Sequence, residues 1–177
     1  MITAKMFMGD NAPSMPPGIH EAVEFTAAYF EMDDIILVFE GTEGKLKNRL
    51  FQPTGEYTFG DETPEDALER KRFENLRLIT QLMVATLDEA VVEAFEAETY
   101  EDYVKGAITL LGRPIHKKVN IKVVPRKADQ PYTKLPDLRY PKTPAVVERW
   151  VEGTKPSLAF TDKELELVEE WRKEHQE

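Results

Sequence analysis

Residues 35–53 read "IILVFEGTEGKLKNRLFQP", and their reading decides the fold. "IILVFE" (residues 35–40) is the most strand-like run in the chain, and "GTEG" is a turn with two glycines. "KLKNRLFQP" follows as a second strand, stopped by Pro53. Working backwards, "IHEAVEFTAAYFE" (residues 19–31) alternates like a strand. Val23, Phe25, Ala27 and Tyr29 fall on one face, and His20, Glu24 and Thr26 on the other. "MDD" makes a short turn between it and Ile35. Three strands joined by tight turns predict an antiparallel meander. Before it, Pro13, Pro16, Pro17 and Gly18 make residues 1–18 an irregular lead-in.

The texture changes at Thr63. "TPEDALERKRFENLRLITQLM" has Thr63 as N-cap, Pro64 at the first helical position and acids in the first turn. Leu68, Leu76, Ile79 and Met83 recur at helical spacing. "TLDEAVVEAFEA" repeats the capping box with Thr86 and Glu89. "TYEDYVKGAITLLG" starts from Thr99 and ends at Gly112, a helix C-cap. "KKVNIKVVP" (residues 117–125) is then a fourth strand with Val119, Ile121 and Val123 facing inward. A Pro-rich, Tyr-containing stretch runs to Pro144, and "AVVERWVEG" fits either a last strand or a short helix. "TDKELELVEEWRKEHQE" is helical, with a Thr161/Glu164 capping box and an apolar stripe of Leu165, Val168 and Trp171.

The order is β-β-β, helices, β, a further β, and a final helix, so the class is α+β and mainly β. A five-stranded antiparallel barrel of the OB type carries its helix between strands three and four. The expectation is therefore an OB-like barrel with a helical insertion at about residues 63–112 and a C-terminal helix. The domain is expected over residues 1–156, and an acidic helical tail over 157–177.

Composition narrows the function classes. With 177 residues, 41% hydrophobic and 32% charged, the chain supports one solvated domain with a real core. No apolar run reaches the ~18 residues of a membrane span, and the N-terminus lacks the apolar core of a signal peptide. There is no cysteine, which excludes disulfides, Cys-type zinc sites and thiol nucleophiles. A reducing cytoplasm is the simplest home, that of the host cell if the protein is viral. His20, His116 and His175 show no ligand spacing, no P-loop, GxSxG or dinucleotide fingerprint is present, and no cofactor is expected.

Charge is segregated. Residues 113–142 hold nine Lys and Arg against two Asp, or +7, in a chain of net −10, which leaves −17 elsewhere. In "KLKNRLF", Lys45, Lys47, Arg49 and Phe51 share one face, and Leu46 and Leu50 the other. On the fourth strand, Lys118, Asn120 and Lys122 face away from the core. Neither face carries an acid of its own. The following loop mixes Arg126, Lys127, Tyr132, Lys134, Arg139, Tyr140 and Lys142 among prolines. Cations that track phosphates and rings that stack bases suit single-stranded nucleic acid. A solvated outer face and a Pro-rich linker are the plainer readings of the same residues.

The layout resembles phage-encoded single-stranded DNA-binding proteins of the OB-fold type. The carriers are "PPGIHEAVEF", the hairpin closing in Phe-x-Pro, the helical insert and "KKVNIKVVPR", over roughly residues 17–127. The resemblance implies a non-enzymatic protein that coats single-stranded DNA in replication and recombination. Lys45, Lys47, Arg49, Phe51, Lys118 and Lys122 would line its groove. It also implies an acidic tail that meets replication proteins and competes with DNA. That tail would be the last helix, with seven acids, three bases and its Leu165/Val168/Trp171 stripe. The insert is long for such a barrel, and the chain ends Glu-His-Gln-Glu rather than in an aromatic residue. The oligomeric state is not set by the sequence, and a homodimer is compatible with it.

Two other classes stay open. One is a protein-interaction or virion assembly component with a basic docking surface. The other is a metal-dependent nuclease, for which Asp61, Glu62, Glu65 and Asp66 cluster, although at a helix start where acids favour the dipole. The basic run Arg70, Lys71, Arg72 and Arg77, interleaved with Glu69 and Glu74, reads as a solvent face laced with ion pairs.

Overall fold

The computed structural model describes residues 1–2 and 13–176. The lead-in expected over residues 1–18 therefore lies in part outside the described residues. Strands β1 (Gly18–Glu31), β2 (Asp34–Gly41) and β3 (Gly44–Leu50) form the meander. Helices α1 (Pro64–Thr86), α2 (Glu89–Ala94) and α3 (Tyr100–Leu111) follow. Then come β4 (Lys118–Pro125), the short β5 (Thr133–Lys134) and β6 (Val147–Arg149), and finally α4 (Asp162–Glu174). The ambiguous "AVVERWVEG" thus contributes a strand.

The sheet is antiparallel, in the order β3-β2-β1-β4-β5, with β6 also paired to β4. No ladder joins β3 to β5 among the described residues, so the sheet is open rather than a closed barrel. Its two ends nevertheless approach: the Leu135 N–H donates to Asn48 Oδ1 at 2.9 Å. At the outer edge of β3, the Lys45 N–H donates to Pro13 O at 2.9 Å and the Met15 N–H to Lys45 O at 3.0 Å. A Cβ on Gly44 would lie 2.5 Å from Pro13 O, so this close approach requires glycine.

β1 serves two partners because it bends. Its first half pairs with β4 and its second with β2, and the register shifts between His20 and Val23 and again between Phe25 and Ala27. A bulge adds one residue and reverses the side-chain alternation beyond it. The face expected from strict alternation is corrected here. Phe25 and Ala28 turn to the core, while Tyr29, placed on the same face as Phe25 by strict alternation, shares the outer face with Ile36 and Arg49.

One core lies between the sheet and the helices. Phe25 and Phe39 pack at 5.6 Å between ring centroids, in the same core as Leu78, Ile79, Leu82 and Met83 of α1. Each such buried side chain contributes about 1.5–3 kcal/mol. α1 begins on the Thr63/Asp66 capping box. α2 is capped by Asp88, not by Thr86, which is buried in the last turn of α1 with its hydroxyl on Leu82 O. Arg149 closes the C-terminus of α1 by donating to the carbonyls of Val84, Ala85 and Leu87.

The C-terminal segment is docked. Val168 is fully buried, the Trp171 Nε1–H donates to Gln130 O at 2.8 Å, and its ring stacks on His175. Glu148 takes hydrogen bonds from Asn120 Nδ2 and from the N–H and hydroxyl of Ser157. Burial pushes its carboxyl up, but these hydrogen bonds, with that of the Leu158 N–H, outweigh it and hold the carboxyl below the usual range. No helix among the described residues is long and apolar enough to cross a membrane.

Candidate nucleic-acid interface

The open seam between β3 and residues 126–139 gathers most of the residues singled out above. Alternation along β3 buries Leu46, Asn48 and Leu50 and turns Lys45, Lys47 and Arg49 outward. The β4 strand ends at Pro125, and the chain returns as a narrow loop in which the Arg126 N–H donates to Tyr132 O at 2.9 Å. That loop brings Arg126 and Tyr132 to the same cavity as Lys45 and Lys47, about 270 Å³ in volume.

A second cavity of about 280 Å³ continues from Arg126 to Arg49, Phe51, Lys71 and Lys134. A third, about 270 Å³, runs from Phe51 and Lys71 to Tyr57, Phe59, Arg70 and Arg139. Together the described lining has eight Lys and Arg against two acids, Glu74 and Asp137. Both acids are occupied. Glu74, almost fully buried, lies 3.2 Å from Arg70 and 3.4 Å from Lys71, and Asp137 lies 2.8 Å from Lys134. Burial pushes the Asp137 carboxyl up, but the charge and hydrogen bond of Lys134, with Lys71 and Arg139, outweigh it and hold it low.

The β3 cations are less bare than their own strand implies. Glu40 on β2 sits 3.5 Å from Lys45, and Arg49 is clamped by Asp34 at 2.8 Å and Glu31 at 3.1 Å. The hydrogen bond it donates to Asp34 and the two negative charges raise the guanidinium's pKa further, against the opposing effect of desolvation. Acids from neighbouring strands therefore sit on a face that β3 alone leaves free of them. Arg126 and Lys127 are exposed and make no ion pair among the described residues.

Three expected groove residues are elsewhere. Lys122 is corrected from exposed to buried: its ammonium is covered by the C-terminal segment, bonded to Glu164 Oε1 and to Ala159 O. Lys118 is exposed, but it lies opposite Glu24 and over the Trp150 ring, away from the seam. Tyr140 is exposed beside α1, in a different groove. Of the three tail residues, Val168 and Trp171 are used in docking, and Leu165 faces solvent.

Arg70, Lys71, Tyr57 and Phe59 were not expected at the site. Arg70 and Arg139 both stack on Phe59, at 4.3 and 4.7 Å from the ring centroid. Arg70 also bonds to Glu62, whose carboxyl that bond and the Phe59 N–H hold low. The signal was present in "ERKRF", but helical phase alone does not say which cations turn towards a sheet edge. Among the described residues, no three His, Asp or Glu side chains converge in a way that would hold a metal. Comparison of the chain with protein-family models, with curated proteins and with solved structures finds no match in any of the three.

Proposed function

We propose that this chain binds single-stranded DNA along the seam between β3 and residues 126–139, without base specificity and without chemistry on the strand. The observation that carries the reading is the run of consecutive cavities lined by eight cations and two paired acids, on a protein of net charge −10. A polyanion is the ligand such a surface attracts. Exposed rings along the path, Tyr132, Phe51 and Tyr57, suit stacking against unpaired bases at about 1–3 kcal/mol each. The strand order β3-β2-β1-β4-β5, with its ends approaching at Asn48 and Leu135 without a ladder between them, supports a partly open five-stranded barrel as the scaffold. On this reading the protein coats and protects unwound DNA in replication and recombination.

The test is fluorescence anisotropy with labelled oligo-dT, the matching duplex and single-stranded RNA across a salt series. The expected result is binding of the single strand at low salt, weakening with a log-log slope of about −0.7 per neutralised phosphate. Absence of binding at low salt sinks the proposal and favours a basic docking surface for an acidic protein. Mg²⁺-dependent loss of the oligonucleotide would instead return the nuclease reading.

A further inference from the structure

Away from the seam, α1 and residues 138–149 enclose an open groove of about 810 Å³. Its walls are apolar: Phe73, Leu76, Val84, Tyr103, Tyr140 and Val147. Phe73, Val84 and Tyr140 are left exposed around it, and such clustering on one surface marks an interaction site. Arg77 and Arg149 also line it. Arg77 donates to the carbonyls of Leu138 and Arg139 and Arg149 to those of Val84, Ala85 and Leu87, neutral partners that leave both positive charges uncompensated by them. The acid in the lining, Glu148, is already engaged by Ser157 and Asn120. The groove therefore favours an apolar segment that carries negative charge.

The chain itself displays such a segment. The β1–β2 tip reads "YFEMDD" (residues 29–34), with three acids and no base, and Tyr29, Phe30 and Met32 are exposed on it. Arg49 holds two of the three, Glu31 and Asp34, and Asp33 is left exposed at the apex. Met32 and Asp33 form the turn at φ of 51° and 70°, a left-handed backbone that glycine or asparagine adopts far more easily than methionine. Met32 is 91% exposed, so folding does not explain an apolar side chain at a strained apex. Strain retained at an exposed apex points to use outside the protomer.

We propose that the β1–β2 tip of a second copy of this chain occupies the α1 groove, with Met32 and the flanking rings on the apolar wall and Asp33, the tip acid that Arg49 does not hold, towards Arg77 and Arg149. A contact between two different surfaces of identical chains propagates head-to-tail unless the rotation closes it. The inference does not depend on DNA binding.

Because the chain lacks cysteine, the contact is open to directed cross-linking. Met32→Cys and Val84→Cys both fall at exposed positions. Under mild oxidation, a 1:1 mixture of the two full-length variants is expected to give a disulfide-linked heterodimer at a yield at least ten times that of either variant alone. Sedimentation velocity of the unmodified protein without DNA should show mass rising with concentration, and Val84→Asp should abolish that rise. A monomer at every concentration overturns the proposal and leaves the groove to an acidic peptide of another protein. Association that survives Val84→Asp, or cross-linking no better in the mixture, overturns it too.

Discussion

The ammonium of Lys122 lies 2.7 Å from Glu164 Oε1, and the same carboxylate oxygen accepts the Thr161 N–H that opens α4. One oxygen thus neutralises a buried cation on the outer face of β4 and caps the helix that covers it. The pair is asymmetric, because the Lys122 side chain is 1% exposed and that of Glu164 is 18%. Removing the acid leaves a buried charge with only the neutral Ala159 carbonyl, whereas removing the base leaves an acid with water and a backbone donor still in reach. Breaking a buried pair costs about 3–5 kcal/mol when the surviving charge has no partner. Glu164→Ala is expected to cost about that much in urea unfolding, and Lys122→Met clearly less. Equal losses would mean that Lys122 finds solvent when released.

Docking of α4 reverses the sign of the effect that a competing tail would have. Trp171 holds the carbonyl of Gln130, in the loop that carries Arg126 and Tyr132 to the seam. Trp171→Phe removes that hydrogen bond, worth about 1 kcal/mol. Oligo-dT affinity is expected to fall up to about fivefold as the loop loosens, and deletion of residues 157–177 to lower it further while reducing Tm. Tighter binding in either variant would restore the tail as a competitor of DNA.

Local rules account for what was legible here and for what was not. The two hairpins, the caps at Thr63, Thr99 and Thr161, and the outward Lys45, Lys47 and Arg49 follow from alternation and capping chemistry, which act over a few residues. Tyr29 escaped because a bulge at Thr26 changes phase without any glycine to announce it. Lys122 escaped for a different reason. Its neighbours in sequence describe an ordinary wet face, and the segment that covers it comes 37 and 42 residues later. The contribution of α1 to the seam is likewise long-range: Arg70 and Lys71 are oriented by Glu74, whose burial depends on the tertiary fold.

Asp137 ties acid stability to the seam. Its carboxyl is held below its ordinary value, so its contribution is present above about pH 4, where the unfolded chain also ionises, and is lost as pH falls through the lower folded value. Wild type is therefore expected to lose more urea stability between pH 5 and pH 2 than Asp137→Asn does. The same variant removes one of the two lining acids, so oligo-dT binding at neutral pH should tighten. A parallel pH decline in both proteins would place the acid sensitivity elsewhere.

The turn at Met32 and Asp33 separates stability from assembly. Replacing both with the Asn-Gly pair favoured at positive φ should relieve left-handed strain of about 1–2 kcal/mol per residue at most. Met32→Asn/Asp33→Gly is expected to raise the urea midpoint and to weaken self-association in sedimentation. Stability gained with association unchanged would remove Met32 from the contact.

The salt dependence of DNA binding should separate cations that are free to meet phosphate from those already paired. Arg126 is exposed, joins the first two cavities and has no carboxylate partner among the described residues. Arg49 lines the same path but spends its guanidinium on Asp34 and Glu31, beside the β1–β2 turn. A cation that exchanges one carboxylate for one phosphate releases few counterions, so its removal changes the slope little. Arg126→Ala is expected to flatten the log-log salt slope by about 0.7, the share of one phosphate on a single strand. Arg49→Ala should leave the slope nearly unchanged and instead loosen the β1–β2 tip, seen as faster amide exchange at residues 31–34. If Arg49→Ala flattened the slope and Arg126→Ala did not, the strand would run over the outer face of β3 rather than through the seam.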